Sequence, residues 1–210
     1  MNLRLLFVSF VFFAIGAAAA VAVLSNRLGP PSATVIKVEG KAAVGGNFLL
    51  TDQTGRRITQ DDFAGRHMLV FFGFTSCPDV CPIALQTVTQ AIDLLGERGA
   101  LVTPIFISID PERDTVEQLA TYVDQFHPRM VGLTGSEQEI KAVTKAYRAY
   151  YQRVADESSS EDYAMDHTSI IYLMDDRGEY AAHFAFNTSA EEMARRVGAI
   201  LEAAPGGPST

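Results

Sequence analysis

The sequence predicts an α/β fold: a mixed central sheet flanked by helices on both faces, preceded by one N-terminal transmembrane helix. Three observations carry this. Two uncharged, largely apolar runs, Met68 to Phe74 and Val102 to Ile109, read as buried strands. Segments of helical apolar spacing alternate with strands through the middle of the chain. A strand, a turn and a second strand then precede a last helix, which makes the sheet mixed.

The elements follow in order. Leu5 to Leu24 is 20 residues long, almost wholly apolar and free of charge. At about 1.5 Å per residue it spans a hydrocarbon core of roughly 30 Å. It reads as an uncleaved signal-anchor within residues 1–26; the competing reading is a cleaved leader, since Ala18-Ala19-Ala20 fits a small-residue cleavage site. Residues 27–45 form a linker opened by Gly29-Pro30-Pro31-Ser32, and residues 46–204 form the globular domain. Within it, Phe48 to Thr51 and Arg57 to Thr59 flank a Gly-containing turn and read as a hairpin.

Ile83, Leu85, Val88, Ile92 and Leu95 give helical spacing over 83–97. Asp114 opens a helix to about Phe126, with an acidic first turn that suits the helix dipole. Met130 to Leu133 is a short strand. Ser136 with Glu139 forms a capping box for a helix to about Tyr151. Residues 152–166 read as an acidic, serine-rich loop. Thr168 to Met174 and Glu179 to Phe184 form a hairpin, Ser189 to Ala203 a closing helix, and 205–210 a disordered tail.

With 48% hydrophobic residues, 20% charged residues and a formal net charge of −8, the composition is globular and acidic. No basic stripe is present, which excludes nucleic acid as an expected partner. The anchor places the domain outside the bacterial inner membrane, in the periplasm. That compartment is oxidising, so a reactive thiol pair there needs a reason to stay reduced.

Only two cysteines occur, in Cys77-Pro78-Asp79-Val80-Cys81-Pro82, directly after the first apolar run. Proline fits the first turn of a helix and not its interior, so Pro82 is expected to be the first helical residue. Both sulfurs then lie near a helix N-terminus, where thiolate is favoured. Thiolate attacks disulfides and also binds metals, so electrostatics does not choose between redox chemistry and metal binding. The three intervening residues differ from the two of thioredoxin-type pairs. A disulfide needs Cβ atoms about 3.8 Å apart, whereas helical residues four apart sit at about 5–6 Å. A structural bridge over so short a loop removes little chain entropy, and a structural zinc site wants four ligands.

Of four histidines, His67 and His127 read as surface residues and His183 as a structural one. His167, between the acidic loop and the strand that follows, stands apart. Two thiolates and an imidazole suit copper, because sulfur selects Cu(I) and imidazole accommodates Cu(II). Met165 reads as packing, and Asp166 as a candidate acceptor orienting the imidazole.

Three segments carry a resemblance. Phe72 through Pro82, Ser108 through Thr115, and Tyr163 through Ile170 with Asp166-His167 are similar, in order and separation, to the motifs of the SCO/SenC (PrrC-like) family. The similarity covers about residues 35–203. It implies a thioredoxin-like fold, a membrane anchor and a copper site whose ligands are Cys77, Cys81 and His167. It further implies a metallochaperone serving the dinuclear copper centre of cytochrome c oxidase, with the oxidase's copper-bearing subunit or another copper-accepting protein as partner. Some members act as thiol-disulfide reductases. In that alternative Cys77 attacks and Cys81 resolves, forming a redox disulfide. A peroxidase of the same fold is a third possibility.

Overall fold

The computed structural model describes residues 44–155 and 163–203. The predicted anchor and tail lie outside the described residues, as does most of the linker. Among the described residues no helix is long and apolar enough to cross a membrane.

The chain opens with the expected hairpin, β1 (Leu49–Asp52) against β2 (Arg57–Thr59). The Asp52 carboxylate closes its turn, accepting hydrogen bonds from the Thr54 and Arg56 backbone N–H groups at 2.9 and 3.0 Å. Strand β3 (His67–Gly73) leads through the cysteine loop into α1 (Val80–Leu94), then to β4 (Val102–Ser108). Helix α2 (Val116–Val123), β5 (Val131–Thr134) and α3 (Glu137–Tyr147) follow. A separate two-stranded sheet pairs β6 (Tyr151–Ala155) with β7 (Tyr163–His167). The chain then returns through β8 (Ile170–Met174), β9 (Tyr180–Ala185) and α4 (Ala190–Ala203).

The main sheet has seven strands in the order β2-β1-β5-β4-β3-β8-β9. Strands β3, β4 and β5 are parallel, and β1 and β8 join them antiparallel. Every residue of β3 and β4 is buried, as expected of central strands covered on both faces. On one face Phe71, Phe106 and Gly132 lie in register. Helix α2 presses so closely there that a Cβ on Gly132 would fall 2.7 Å from Leu119 and 2.9 Å from Val123. Helices α1 and α4 pack together on the same face. On the opposite face Tyr147 of α3 meets Phe72 and Tyr172 edge-on, at centroid distances of 5.3 and 5.7 Å. Burying the Phe72 side chain there contributes about 1.5–3 kcal/mol.

Four expectations are corrected. Helix α1 begins at Val80 and not at Pro82. The ring of Pro82 tolerates this because the carbonyl four residues back belongs to Pro78, outside the helix. Asp114 is not a first-turn residue, although Glu117 does make that turn acidic: Thr115 is the N-cap of α2, its hydroxyl accepting the Gln118 N–H at 3.3 Å, and Asp114 is buried ahead of it. Helix α3 stops at Tyr147 because Arg148 turns left-handed, at φ 55°. Of the acidic loop expected over 152–166, residues 152–155 and 163–166 are strand, paired in β6 and β7, and residues 156–162 lie outside the described residues.

The histidine assignments reverse outside the site. His67 is the first residue of β3 and is buried, which pushes its imidazole pKa below the ordinary value. His127 is also buried, its Nδ1 accepting the Arg129 N–H at 3.0 Å. His183 is exposed on the edge strand β9, stacked on Tyr180.

Candidate metal centre

The site begins at the end of β3. The Cys77 N–H bonds back to the Phe74 carbonyl at 3.2 Å, curling the loop under the start of α1. Asp79 is the N-cap of α1, yet its side chain makes no capping bond. The Cys77 sulfur takes that place, accepting the Cys81 N–H at 3.5 Å. One of the otherwise unpaired first-turn donors is thereby satisfied. Pro82, with no N–H, leaves none to satisfy.

Cys81 is buried and Cys77 is half-buried, and both are free thiols. The Cys81 sulfur rests against Gly73: a Cβ there would approach it to 2.7 Å and the Phe106 ring to 2.9 Å. Gly73 is therefore required by close approach, a role glycine inside a strand often marks.

His167 closes the group from β7. Its Nε2 lies 3.8 Å from the Cys81 sulfur. Its Nδ1 faces the Thr168 carbonyl at 3.2 Å. When the Nδ1 proton is donated to that carbonyl, Nε2 presents a lone pair to the sulfurs. Phe71 and Phe74 hold the imidazole edge-on, at 6.1 and 6.0 Å between centroids. The ligand atoms of Cys77, Cys81 and His167 all lie within 4.8 Å of one another. Two sulfurs and one nitrogen so gathered fit a soft metal ion.

The thiols are electrostatically unequal. The hydrogen bond with the Cys81 side chain lowers the Cys77 pKa to about 4, against the effect of burial. His167 and the backbone N–H groups of Cys81 and Asp79 add to the lowering. Cys81 moves upward because it serves Cys77 as hydrogen-bond donor, is buried, and faces the Cys77 charge. The pair is thus polarised in opposite directions, Cys77 toward thiolate and Cys81 toward thiol.

The structure brings together the three residues singled out in the sequence. It does not bring Asp166. That carboxylate is on the opposite side of β7 from the imidazole and is exposed, and the Nδ1 partner is a backbone carbonyl. Met165 is packing, buried in the core. Three contributors escaped the sequence reading. A glycine interrupting an apolar strand was the available signal for Gly73. Asp114, which accepts from Thr75 in the cysteine loop, was masked by its place beside a helix start. The Thr168 carbonyl has no sequence signal.

The SCO1/SenC family model matches residues 36–202. The chain belongs to the SCO1/SenC family. The SCO2-like protein of Rickettsia felis is 41% identical over 155 residues, covering 74% of this chain and 76% of that protein. The human mitochondrial protein SCO1 homolog is 46% identical over 160 residues, 75% of this chain and 53% of that protein. Among solved structures, Arabidopsis thaliana ScoI with copper bound aligns at TM-score 0.72 and 40% identity, covering 76% of this chain and 99% of that one. Bradyrhizobium japonicum ScoI with copper bound aligns at TM-score 0.67 and 41% identity, covering 74% and 98%. The described residues thus carry the thioredoxin-like arrangement of SCO1/SenC proteins that the three sequence motifs implied.

Proposed function

We propose that this chain is a copper metallochaperone, held at the bacterial inner membrane by residues 5–24, that carries copper on Cys77, Cys81 and His167. Its recipient is the copper-bearing subunit of cytochrome c oxidase or another copper-accepting protein. The observation that carries the reading is the convergence of two sulfurs and one imidazole nitrogen within 4.8 Å. Copper-bound relatives of the same fold, at 40 and 41% identity, support it. The anchor, with a single pass and a periplasmic domain, rests on the apolar run in the sequence.

The residues divide the work. Cys81 is buried and fixed against Gly73, so it is the donor that stays. Cys77 is the more accessible sulfur and is the donor an incoming thiolate displaces first. His167 supplies the nitrogen that accommodates the cupric state. Handover then proceeds by stepwise ligand exchange, with the dithiol reduced as the condition for loading.

A second reading has one observation in its favour. A low-pKa, accessible Cys77 beside a buried Cys81 is also the asymmetry of an attacking and a resolving thiol. The two readings differ in their need for His167. Titration of the reduced full-length protein with Cu(I) and Cu(II), beside His167→Ala and Cys77→Ser, separates them. The chaperone reading expects His167→Ala to lose the cupric spectrum and Cys77→Ser to lose affinity for both ions. Strong disulfide reductase activity with copper binding indifferent to His167 would instead favour the enzyme.

A further inference from the structure

The imidazole ligand sits on a structure with few tethers. Among the described residues, β6 and β7 pair only with each other and have no ladder to the seven-stranded sheet. An isolated two-stranded hairpin is marginally stable in water, so its position depends on side-chain anchors. Residues 163, 165 and 167 of β7 share one face. Met165 is buried in the middle, and His167 is at the end nearest the thiols.

The opposite end is held by Tyr163. Its hydroxyl donates to the Asp110 carboxylate at 2.9 Å. The Arg113 guanidinium lies 3.9 Å from the ring centroid, and Arg113 also donates to the Tyr163 carbonyl at 3.1 Å and to Asp110 at 2.5 Å. Arg153, the diagonal neighbour on β6, sets a second guanidinium 3.9 Å from the same ring and donates to Glu112 at 2.5 Å. Arg113 reaches the site as well, 5.8 Å from the ring of Phe74, which in turn packs edge-on against His167. Asp110 and Arg113 belong to the loop that follows the central strand β4, so Tyr163 ties the end of the hairpin farthest from the thiols to the rigid part of the molecule, alongside the buried Met165 and the Arg153–Glu112 pair.

We propose that Tyr163 is the positioning residue for the His167 ligand, and that its cationic and carboxylate clamp decides whether the site offers three donors or two. The two sulfurs are placed by the loop after β3 and the first turn of α1, elements outside the hairpin. With the clamp closed, the imidazole stands over the sulfurs and the site suits Cu(II). With the clamp open, the two sulfurs remain, a set that suffices for Cu(I). Tyr163 thus controls the preference between the two oxidation states of the cargo without touching it. This inference rests on the copper reading above.

The test uses the full-length protein with Tyr163→Ala, Tyr163→Phe and Arg153→Gln, beside His167→Ala. Copper-free hydrogen exchange reads the clamp directly: amides of β7 are expected to exchange faster in Tyr163→Ala and close to wild type in Tyr163→Phe, which keeps the ring between its cations. Copper titration reads the consequence. Tyr163→Ala should lose Cu(II) affinity by about tenfold or more, the usual cost of removing a ligand's support. It should shift the cupric resonance spectrum toward that of His167→Ala, while Cu(I) affinity stays near wild type. Arg153→Gln, at an exposed position, should move the same way by less, and serves if Tyr163→Ala does not fold. Unchanged β7 exchange in the alanine variant overturns the clamp. Faster exchange with unchanged Cu(II) binding overturns its role in positioning the ligand, as does an equal loss of Cu(I) and Cu(II). Failure of the wild type to bind copper overturns the copper reading and the ligand role together, while the exchange result still decides the clamp.

Discussion

Asp114 accepts two hydrogen bonds from Thr75, from the backbone N–H at 3.0 Å and from the hydroxyl at 2.6 Å, and a third from the Ser108 hydroxyl at 2.5 Å. A buried carboxylate at the entry to α2 thereby fixes the loop that presents Cys77 to the end of the central strand. Burial raises its pKa from the ordinary 3.8, opposed by the Ser108 and Thr75 hydrogen bonds. A carboxyl raised in the folded state adds stability that is fully present below its unfolded pKa. That stability is lost as pH rises through the folded value. The stability lost in Asp114→Asn should therefore be larger near pH 3.5, just below the unfolded value of about 3.9, than at neutral pH. Urea unfolding of both proteins at the two pH values checks this; a difference that grows toward neutrality would contradict it.

Gly73→Ala places a methyl 2.7 Å from the Cys81 sulfur and 2.9 Å from the Phe106 ring, both in the buried core. Overpacking of this kind costs about 1–3 kcal/mol. The sulfur is the movable partner, so Cu(I) affinity in competition with a chelator should fall along with stability. Wild-type Cu(I) affinity in this variant would show that Cys81 is not held by contact with Gly73.

Alkylation should find Cys77 first and should persist in mild acid. With the thiolate stabilised down to about pH 4, the rate in the reduced, metal-free protein should change little from neutral pH to pH 5 or so, then fall through the Cys77 pKa. Peptide mapping identifies the modified sulfur. A rate that falls in proportion to hydroxide throughout, as for an ordinary thiol, would contradict the asymmetry of the pair.

Asp166→Ala should leave the cupric spectrum and copper affinity near wild type, because the imidazole Nδ1 faces the Thr168 carbonyl at 3.2 Å. A loss comparable to the roughly 10–100-fold typical of removing a ligand's hydrogen-bond partner would restore the carboxylate to the site.

Much of this molecule is legible in its sequence, and the failures have physical reasons. Strands β3 and β4 announce themselves because strands buried on both faces read as continuous apolar runs. Cys77, Cys81 and His167 were recoverable because thiols are scarce and the motif order is specific. The β6–β7 hairpin was hidden because its short arms flank a run of serines and acids, whose composition outweighs the alternation in Tyr151–Ala155 and Tyr163–His167. The start of α1 was misplaced because Pro82 was read as the first helical residue, whereas proline is tolerated anywhere in the first turn and here stands third, after Val80 and Cys81. His67 and His183 exchanged roles because pattern does not tell a strand in the middle of a sheet from one at its edge.

The central claim is that Cys77, Cys81 and His167 hold copper together. X-ray absorption at the copper edge of the copper-loaded, full-length protein tests it most directly. The account predicts two sulfur ligands and one imidazole in the wild-type cupric form, with the imidazole scattering gone in His167→Ala. An unchanged imidazole signal in that variant, or a wild-type site without two sulfurs, would contradict it.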